Sequence, residues 1–114
     1  MLDDNKCVDQ KQLFHIELSN ISCIPYAMFE HRHDISSIAL DDNIQTISDY
    51  AFHRCSNLQA VKLPAKLSYI GKYAFSSCYK LSSISFPNTL TDIDKCAFAK
   101  CFSLKSVIFP FMLK

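Results

Sequence analysis

Apolar residues recur along this chain at intervals of 23 residues. The interval is easiest to follow at Phe29, Phe52, Phe75 and Phe98, because an alanine precedes each of the last three. Such repetition predicts one structural unit that is used several times. Five further apolar positions keep the same spacing, namely Ile21/Ile44/Leu67/Leu90, Ile24/Ile47/Ile70/Ile93, Ile35/Leu58/Leu81/Leu104, Ile38/Val61/Ile84/Val107 and Leu40/Leu63/Phe86/Phe109.

Each unit divides into two halves with different periodicity. The segments LQAVKLP (58–64) and LSSISFP (81–87) alternate apolar and polar residues before a closing proline. This alternation predicts a strand, which the proline ends because it has no N–H to donate. The segments ISDYAFHRC (47–55) and IDKCAFAKC (93–101) instead space their apolar residues as a helix of about two turns would.

No single unit can bury its own apolar side, so the units must stack into a solenoid. Residues at one position of successive units then form what we call a column. We expect residues 1–114 to form a single domain. Its parts are a degenerate N-terminal half-repeat (1–20), four repeats (21–43, 44–66, 67–89 and 90–112) and the start of a truncated repeat (113–114).

The segment LSYIGKYAFSSCYKLSSISFP (67–87) closely resembles the BspA-like (treponemal-type) leucine-rich repeat family. The resemblance extends over residues 21–112, although the first repeat has Met28, Arg32 and Asp41 where the pattern has alanine, cysteine and proline. It implies a right-handed β-α superhelix, here of about four to five 23-residue repeats, with parallel strands on the concave face. The resemblance also implies protein recognition or surface adhesion and no catalytic activity.

Three of the six cysteines follow the 23-residue period. Cys55, Cys78 and Cys101 would therefore form a column, and a free cysteine packs as a small apolar residue. Neighbours in register lie roughly 4.8 Å apart with parallel side chains, which suits a disulfide poorly. We expect reduced core cysteines, with a disulfide as the alternative. The redox states of Cys7, Cys23 and Cys96, which lie outside the column, are not predicted by the pattern.

The overall charge and composition exclude several classes of function. A net charge of +1 argues against a nucleic-acid partner, and no run of apolar residues is long enough for membrane insertion. The single glycine, Gly71, excludes glycine-rich phosphate loops, so no cofactor is expected. The opening MLDDNKCVDQ is not typical of a secretory signal, which predicts a cytoplasmic protein, whereas the family resemblance implies the cell surface.

The segment EHRHD (30–34) is the densest polar cluster. Glu30 and His53 occupy the same repeat position, so we expect them to be neighbours on the convex side. Carboxylate and imidazole groups ligate metals and respond to pH. A solvated turn is the simpler interpretation, and no metal site is predicted.

The residues that flank the central apolar residue of each predicted strand should face the concave surface. Small side chains dominate there, so we expect a partner-binding face for another protein rather than an active site. These residues are His15, Glu17, Ser37, Ala39, Ala60, Lys62, Ser83, Ser85, Ser106 and Ile108.

The apolar residues near the C-terminus suggest self-association through the last strand edge. The sequence therefore predicts a non-catalytic protein-protein interaction module. The alternative is a structural repeat fragment of a longer array with no binding activity of its own.

Overall fold

The computed structural model describes residues 21–105 and residue 107. These residues form two parallel sheets, one on each side of a shared core. The four-stranded sheet has the order β1-β3-β5-β7 and the three-stranded sheet the order β2-β4-β6. The strands are β1 (Cys23–Ile24), β2 (Ser37–Ala39), β3 (Thr46–Ile47), β4 (Ala60–Lys62), β5 (Tyr69–Ile70), β6 (Ser83–Ser85) and β7 (Asp92–Ile93).

The register of both sheets equals the sequence period. Ile24 pairs with Ile47, which in turn lies opposite Ile70. In the other sheet Ile38 pairs with Val61. Because each strand lies beside the strand 23 residues later, identical positions stack in register. The predicted solenoid with parallel strands is confirmed for the described residues.

The predicted helix of each repeat is absent from the described residues. Its place is taken by residues 25–32, 48–55, 71–78 and 94–101, which we call the turn segments and in which the six residues between the first and the last form consecutive turns. A right-handed helix needs negative φ throughout, and each turn segment interrupts this twice. The residues with positive φ are Ala27, His31, Tyr50, Arg54, Tyr73, Ser77, Cys96 and Lys100.

Backbone hydrogen bonds explain why the turn segments adopt this conformation. The N–H groups of Tyr50, Phe52 and Arg54 donate to carbonyls of the next repeat, and the bond from Phe52 to Ala74 is 2.7 Å long. The residues between them donate within the segment, as His53 does to Tyr50 at 3.1 Å. Alternate N–H groups thus bond to the neighbouring repeat, where a helix would direct all of them along its own axis. The hydrogen bonds to the neighbouring repeat offset the strain of non-glycine residues at positive φ.

The core consists of columns that run the length of the solenoid. The phenylalanine column is its centre: adjacent rings from Phe29 through Phe52 and Phe75 to Phe98 lie 5.1, 4.9 and 5.2 Å apart. Phe52 and Phe75 are fully buried. Columns of isoleucine and leucine surround these rings and close the core on both sheets.

Several predictions lie outside the described residues. These are the N-terminal half-repeat, the truncated repeat and most of the apolar C-terminal edge that was expected to self-associate.

Candidate functional site

The three-residue strands present their first and third residues outward. In β2 and β4 the central residues, Ile38 and Val61, are buried at 3% and 5% exposure, while the central Ile84 of β6 is half-buried. The flanking residues therefore face away from the core, as the alternation of a strand requires. Strand pairing places them in two parallel rows, Ser37-Ala60-Ser83 and Ala39-Lys62-Ser85.

An open groove of about 590 Å³ lies above these rows, and we call it the groove. Six of the predicted partner-binding residues line it, whereas His15, Glu17, Ser106 and Ile108 lie outside the described residues. The lining residues are Ser37, Ile38, Ala39, Ala60, Val61, Lys62, Leu63, Ser83, Ser85, Phe86 and Pro87.

One wall of the groove was missed by the sequence analysis. Leu63, Phe86 and Pro87 contribute to the lining, although the pattern assigned them only to the end of a strand. Phe86 packs edge-on against Phe98, with the ring centroids 5.7 Å apart. The signal was present, since an apolar residue followed by proline recurs at the strand ends.

The groove offers little charge and few large anchors. Lys62 is the one charged residue of the lining. Its side chain is 69% exposed, and its Nζ atom lies 3.9 Å from Oδ1 of Asp42, a pair too exposed to be held firmly. The remaining outward groups are hydroxyls and methyls. Chemically, this surface can accept a close-lying backbone and exchange hydrogen bonds, but it has no nucleophile-base pair.

The cysteine column is confirmed as a set of free thiols. Each Sγ atom donates a hydrogen bond to the carbonyl of a phenylalanine in the preceding repeat. Burial raises the pKa of Cys55 to about 12 and that of Cys101 to about 11, and it raises the pKa of Cys78 further still. These thiols stay protonated and are structural. The bonds are Cys55 to Phe29 (3.1 Å), Cys78 to Phe52 (3.2 Å) and Cys101 to Phe75 (3.1 Å).

The pair formed by Tyr69 and Asp94 is likewise structural. The tyrosine hydroxyl donates to Oδ2 of Asp94 at 2.8 Å, joining neighbouring repeats. This hydrogen bond raises the pKa of Tyr69 to about 12, because ionisation would place two negative charges side by side. The hydroxyl therefore remains a donor rather than a base.

The polar cluster on the turn segments assembles as the repeat position predicted. Nδ1 of His53 lies 2.9 Å from Oε2 of Glu30. Nε2 of His31 lies 3.9 Å from the same oxygen. Their ligand atoms lie within 4.8 Å of one another. His33 is engaged elsewhere, with its Nδ1 atom 2.6 Å from the hydroxyl of Ser56.

Known structures share this architecture. The leucine-rich repeat protein of T. pallidum superposes with a TM-score of 0.81 at 29% identity, over 82% of this chain and 44% of that one. A leucine-rich cell surface protein from Faecalibacterium prausnitzii A2-165 gives 0.81 at 25% identity, over 88% and 27%. A leucine-rich repeat protein from Bacteroides ovatus ATCC 8483 gives 0.65 at 28% identity, over 79% and 29%.

The chain spans less than half the length of each of these three proteins. None of the curated proteins matches it. In the part of the chain that the structure describes, no helix has the length and apolar character to cross a membrane. The family model described as "BspA type Leucine rich repeat region (6 copies)" matches residues 4–114, almost the whole chain. Together with the 23-residue register, this match establishes that the chain belongs to the BspA-type leucine-rich repeat family.

Proposed function

We propose that the chain is a non-catalytic protein-binding module and that the groove is its binding surface. The observation that carries the proposal is the pair of outward rows, Ser37-Ala60-Ser83 and Ala39-Lys62-Ser85, which line an open groove. Every residue of these rows except Lys62 has a small side chain, so a partner backbone can approach the sheet closely.

The same geometry favours an extended polypeptide as the partner. The serine hydroxyls of Ser37, Ser83 and Ser85 donate and accept hydrogen bonds, as a peptide backbone does. Leu63, Phe86 and Pro87 add an apolar wall for one or two side chains of the partner. Since aromatic and arginine anchors are few, each repeat contributes little and affinity grows with the number of repeats engaged.

One of the similar solved structures supports a role at the cell surface. The F. prausnitzii protein is a cell surface protein, and leucine-rich repeat proteins generally mediate protein-protein interaction. We therefore propose that the partner lies outside the cell or on another cell, as in adhesion. The buried, protonated thiols and the tyrosine that serves as a donor support a module without catalysis.

A matched pair of substitutions tests the groove. Ala60 lies in the centre of the lining, whereas Ala65 is exposed and lies outside it. Peptides selected from a random display library on the wild-type chain would be synthesised and titrated by fluorescence anisotropy. Ala60→Arg should weaken their binding by about tenfold or more, equivalent to about 1.4 kcal/mol. Ala65→Arg should leave binding within about twofold, since mutations away from a contact have small effects.

Two results would contradict the proposal. One is a selection that yields no binding peptide, which favours the alternative of a purely structural repeat. The other is a set of peptides that bind Ala60→Arg as tightly as the wild type. The proposed surface location is tested separately, by antibody staining of intact cells that express a tagged full-length protein.

A further inference from the structure

The cluster of Glu30, His31 and His53 lies on the turn segments, away from the groove lining. Glu30 and His31 belong to one repeat and His53 to the next. The backbone holds them together, because the N–H of His31 donates to the carbonyl of His53 at 2.8 Å. The N–H of Phe29 donates to the carbonyl of Ala51 at 2.8 Å, which adds a second link on the other side of Glu30.

The distances suit a tetrahedral metal ion. Ligand atoms about 2.0–2.1 Å from zinc lie about 3.3 Å from one another at the tetrahedral angle. Oε2 of Glu30 is 2.9 Å from Nδ1 of His53 and 3.9 Å from Nε2 of His31, so the two separations bracket this value. All three ligand atoms lie within 4.8 Å of one another. To reach the zinc-ligand separation, the His31 side chain, which is 52% exposed, has to rotate toward the other two ligands.

The surroundings favour an ion as well. The His53 side chain is only 16% exposed, and the rings of Tyr50 and Tyr73 lie 5.1 and 6.5 Å from its ring. These rings limit the movement of the imidazole. The nearby Arg32 is paired with Asp34 through two hydrogen bonds of 3.1 and 3.0 Å. Its positive charge is therefore engaged with another carboxylate.

We propose that Glu30, His31 and His53 form a zinc-binding site that ties two adjacent repeats together. Two imidazoles and one carboxylate are a recurrent zinc ligand set, with water as the fourth ligand. Mg²⁺ and Ca²⁺ are poor candidates because both prefer sets made of oxygen. His31 has a positive φ of 63°. This backbone conformation belongs to the turn in which the N–H of His31 bonds to the carbonyl of His53, so it helps to hold the site together.

Cobalt(II) titration of the purified, reduced chain tests this site. Cobalt replaces zinc in such sites and has visible absorption, and a thiolate ligand would add a charge-transfer band in the near ultraviolet. We expect one cobalt ion per chain without that band, displaced by Zn²⁺ but not by Mg²⁺. The absence of the thiolate band separates this site from the free cysteines.

A matched pair of histidine variants completes the test. His31→Gln should weaken metal binding by about tenfold or more, since it removes a direct ligand and loss of outer-shell partners alone costs tenfold or more. His33→Gln should stay within about twofold, because Nδ1 of His33 bonds to Ser56 and its ring only touches that of His31 edge-on, with the centroids 6.1 Å apart. Both side chains belong to exposed residues, so circular dichroism should show both variants folded. The proposal would be overturned if the wild-type chain bound neither cobalt nor zinc, or if it bound them through thiolates. It would also be overturned if the wild type bound metal no more tightly than His31→Gln.

Discussion

The turn segments and the groove are two regions of the same repeats, and they differ in the side chains that they carry. In the turn segments alternate backbone N–H groups cross to the next repeat, and rings such as Tyr50 and Tyr73 stack 5.2 Å apart. In the groove the strands are three residues long and carry mostly small, outward side chains. Backbone pairing joins the repeats in both regions, but the turn segments add stacked rings across the repeat boundary, whereas the outward side chains of the groove add little. Substitutions in the two regions should therefore differ in cost.

The largest effect is expected at the phenylalanine column. Phe75 is fully buried, with rings stacked at 4.9 Å on one side and 5.2 Å on the other. Phe75→Ala should lower the free energy of unfolding by about 3–5 kcal/mol, measured by urea denaturation. Val61→Ala, beneath the groove, should cost about 1–2 kcal/mol because it removes only two methyl-sized groups. A loss for Phe75→Ala as small as that of Val61→Ala would contradict the central place of Phe75 in the core.

The next effect is expected at Gly71, where the turn segment approaches the preceding repeat. A Cβ atom there would lie 2.7 Å from the backbone nitrogen of Asp49 and 2.8 Å from the carbonyl carbon of Ser48. These are backbone atoms and cannot move aside easily. Gly71→Ala should cost about 1–3 kcal/mol through overpacking, read as a lower urea midpoint. An unchanged urea midpoint would show that the repeats are docked less tightly than these distances imply.

A smaller effect is expected at the cysteine column. Cys78→Ala leaves a small cavity and should cost about 1–2 kcal/mol in the same denaturation experiment, below the cost of larger core truncations. Cys78→Ser keeps a donor for the carbonyl of Phe52, so it should cost no more than the alanine variant. If serine proved clearly worse than alanine, the thiol-to-carbonyl bond would not be the reason for cysteine at this position.

The smallest effect on stability is expected in the groove. Ala60→Arg and Ser83→Arg each place a long side chain in open space and should change the free energy of unfolding by only about 0.5 kcal/mol or less. Thermal melting of both variants checks this. A loss comparable to that of Gly71→Ala would mean that the groove contributes to the fold and is not free for a partner.

Much of the architecture follows from the printed sequence. The 23-residue spacing of Phe52, Phe75 and Phe98 is enough to infer stacking, because no single repeat can cover its own apolar side. Strand alternation then identified Ser37, Ala39, Ala60, Lys62, Ser83 and Ser85, all of which line the groove. The cysteine column was found in the same way. Because the strands pair in register, residues 23 positions apart become neighbours whatever the conformation of the turn segments.

The helix prediction failed because apolar spacing is insensitive to the sign of φ. The segment around Tyr50 and Arg54 has the apolar spacing of a short helix, but both residues have positive φ. A helix of two turns is marginal alone, so bonds to the neighbouring repeat decide its conformation. Those bonds, such as Arg54 to Ser76 at 2.8 Å, join residues 22 apart in the chain.

The 23-residue period thus determines which residues share a column, and this period follows from the amino-acid sequence alone. The period alone predicts that Glu30 lies beside His53. The approach of both His53 and His31 to one oxygen of Glu30, and of the Cys78 thiol to the Phe52 carbonyl, arises only when the repeats dock. Both depend on where backbone N–H and C=O groups find partners in the next repeat. These hydrogen bonds join segments that are distant in sequence, so only the tertiary structure determines them.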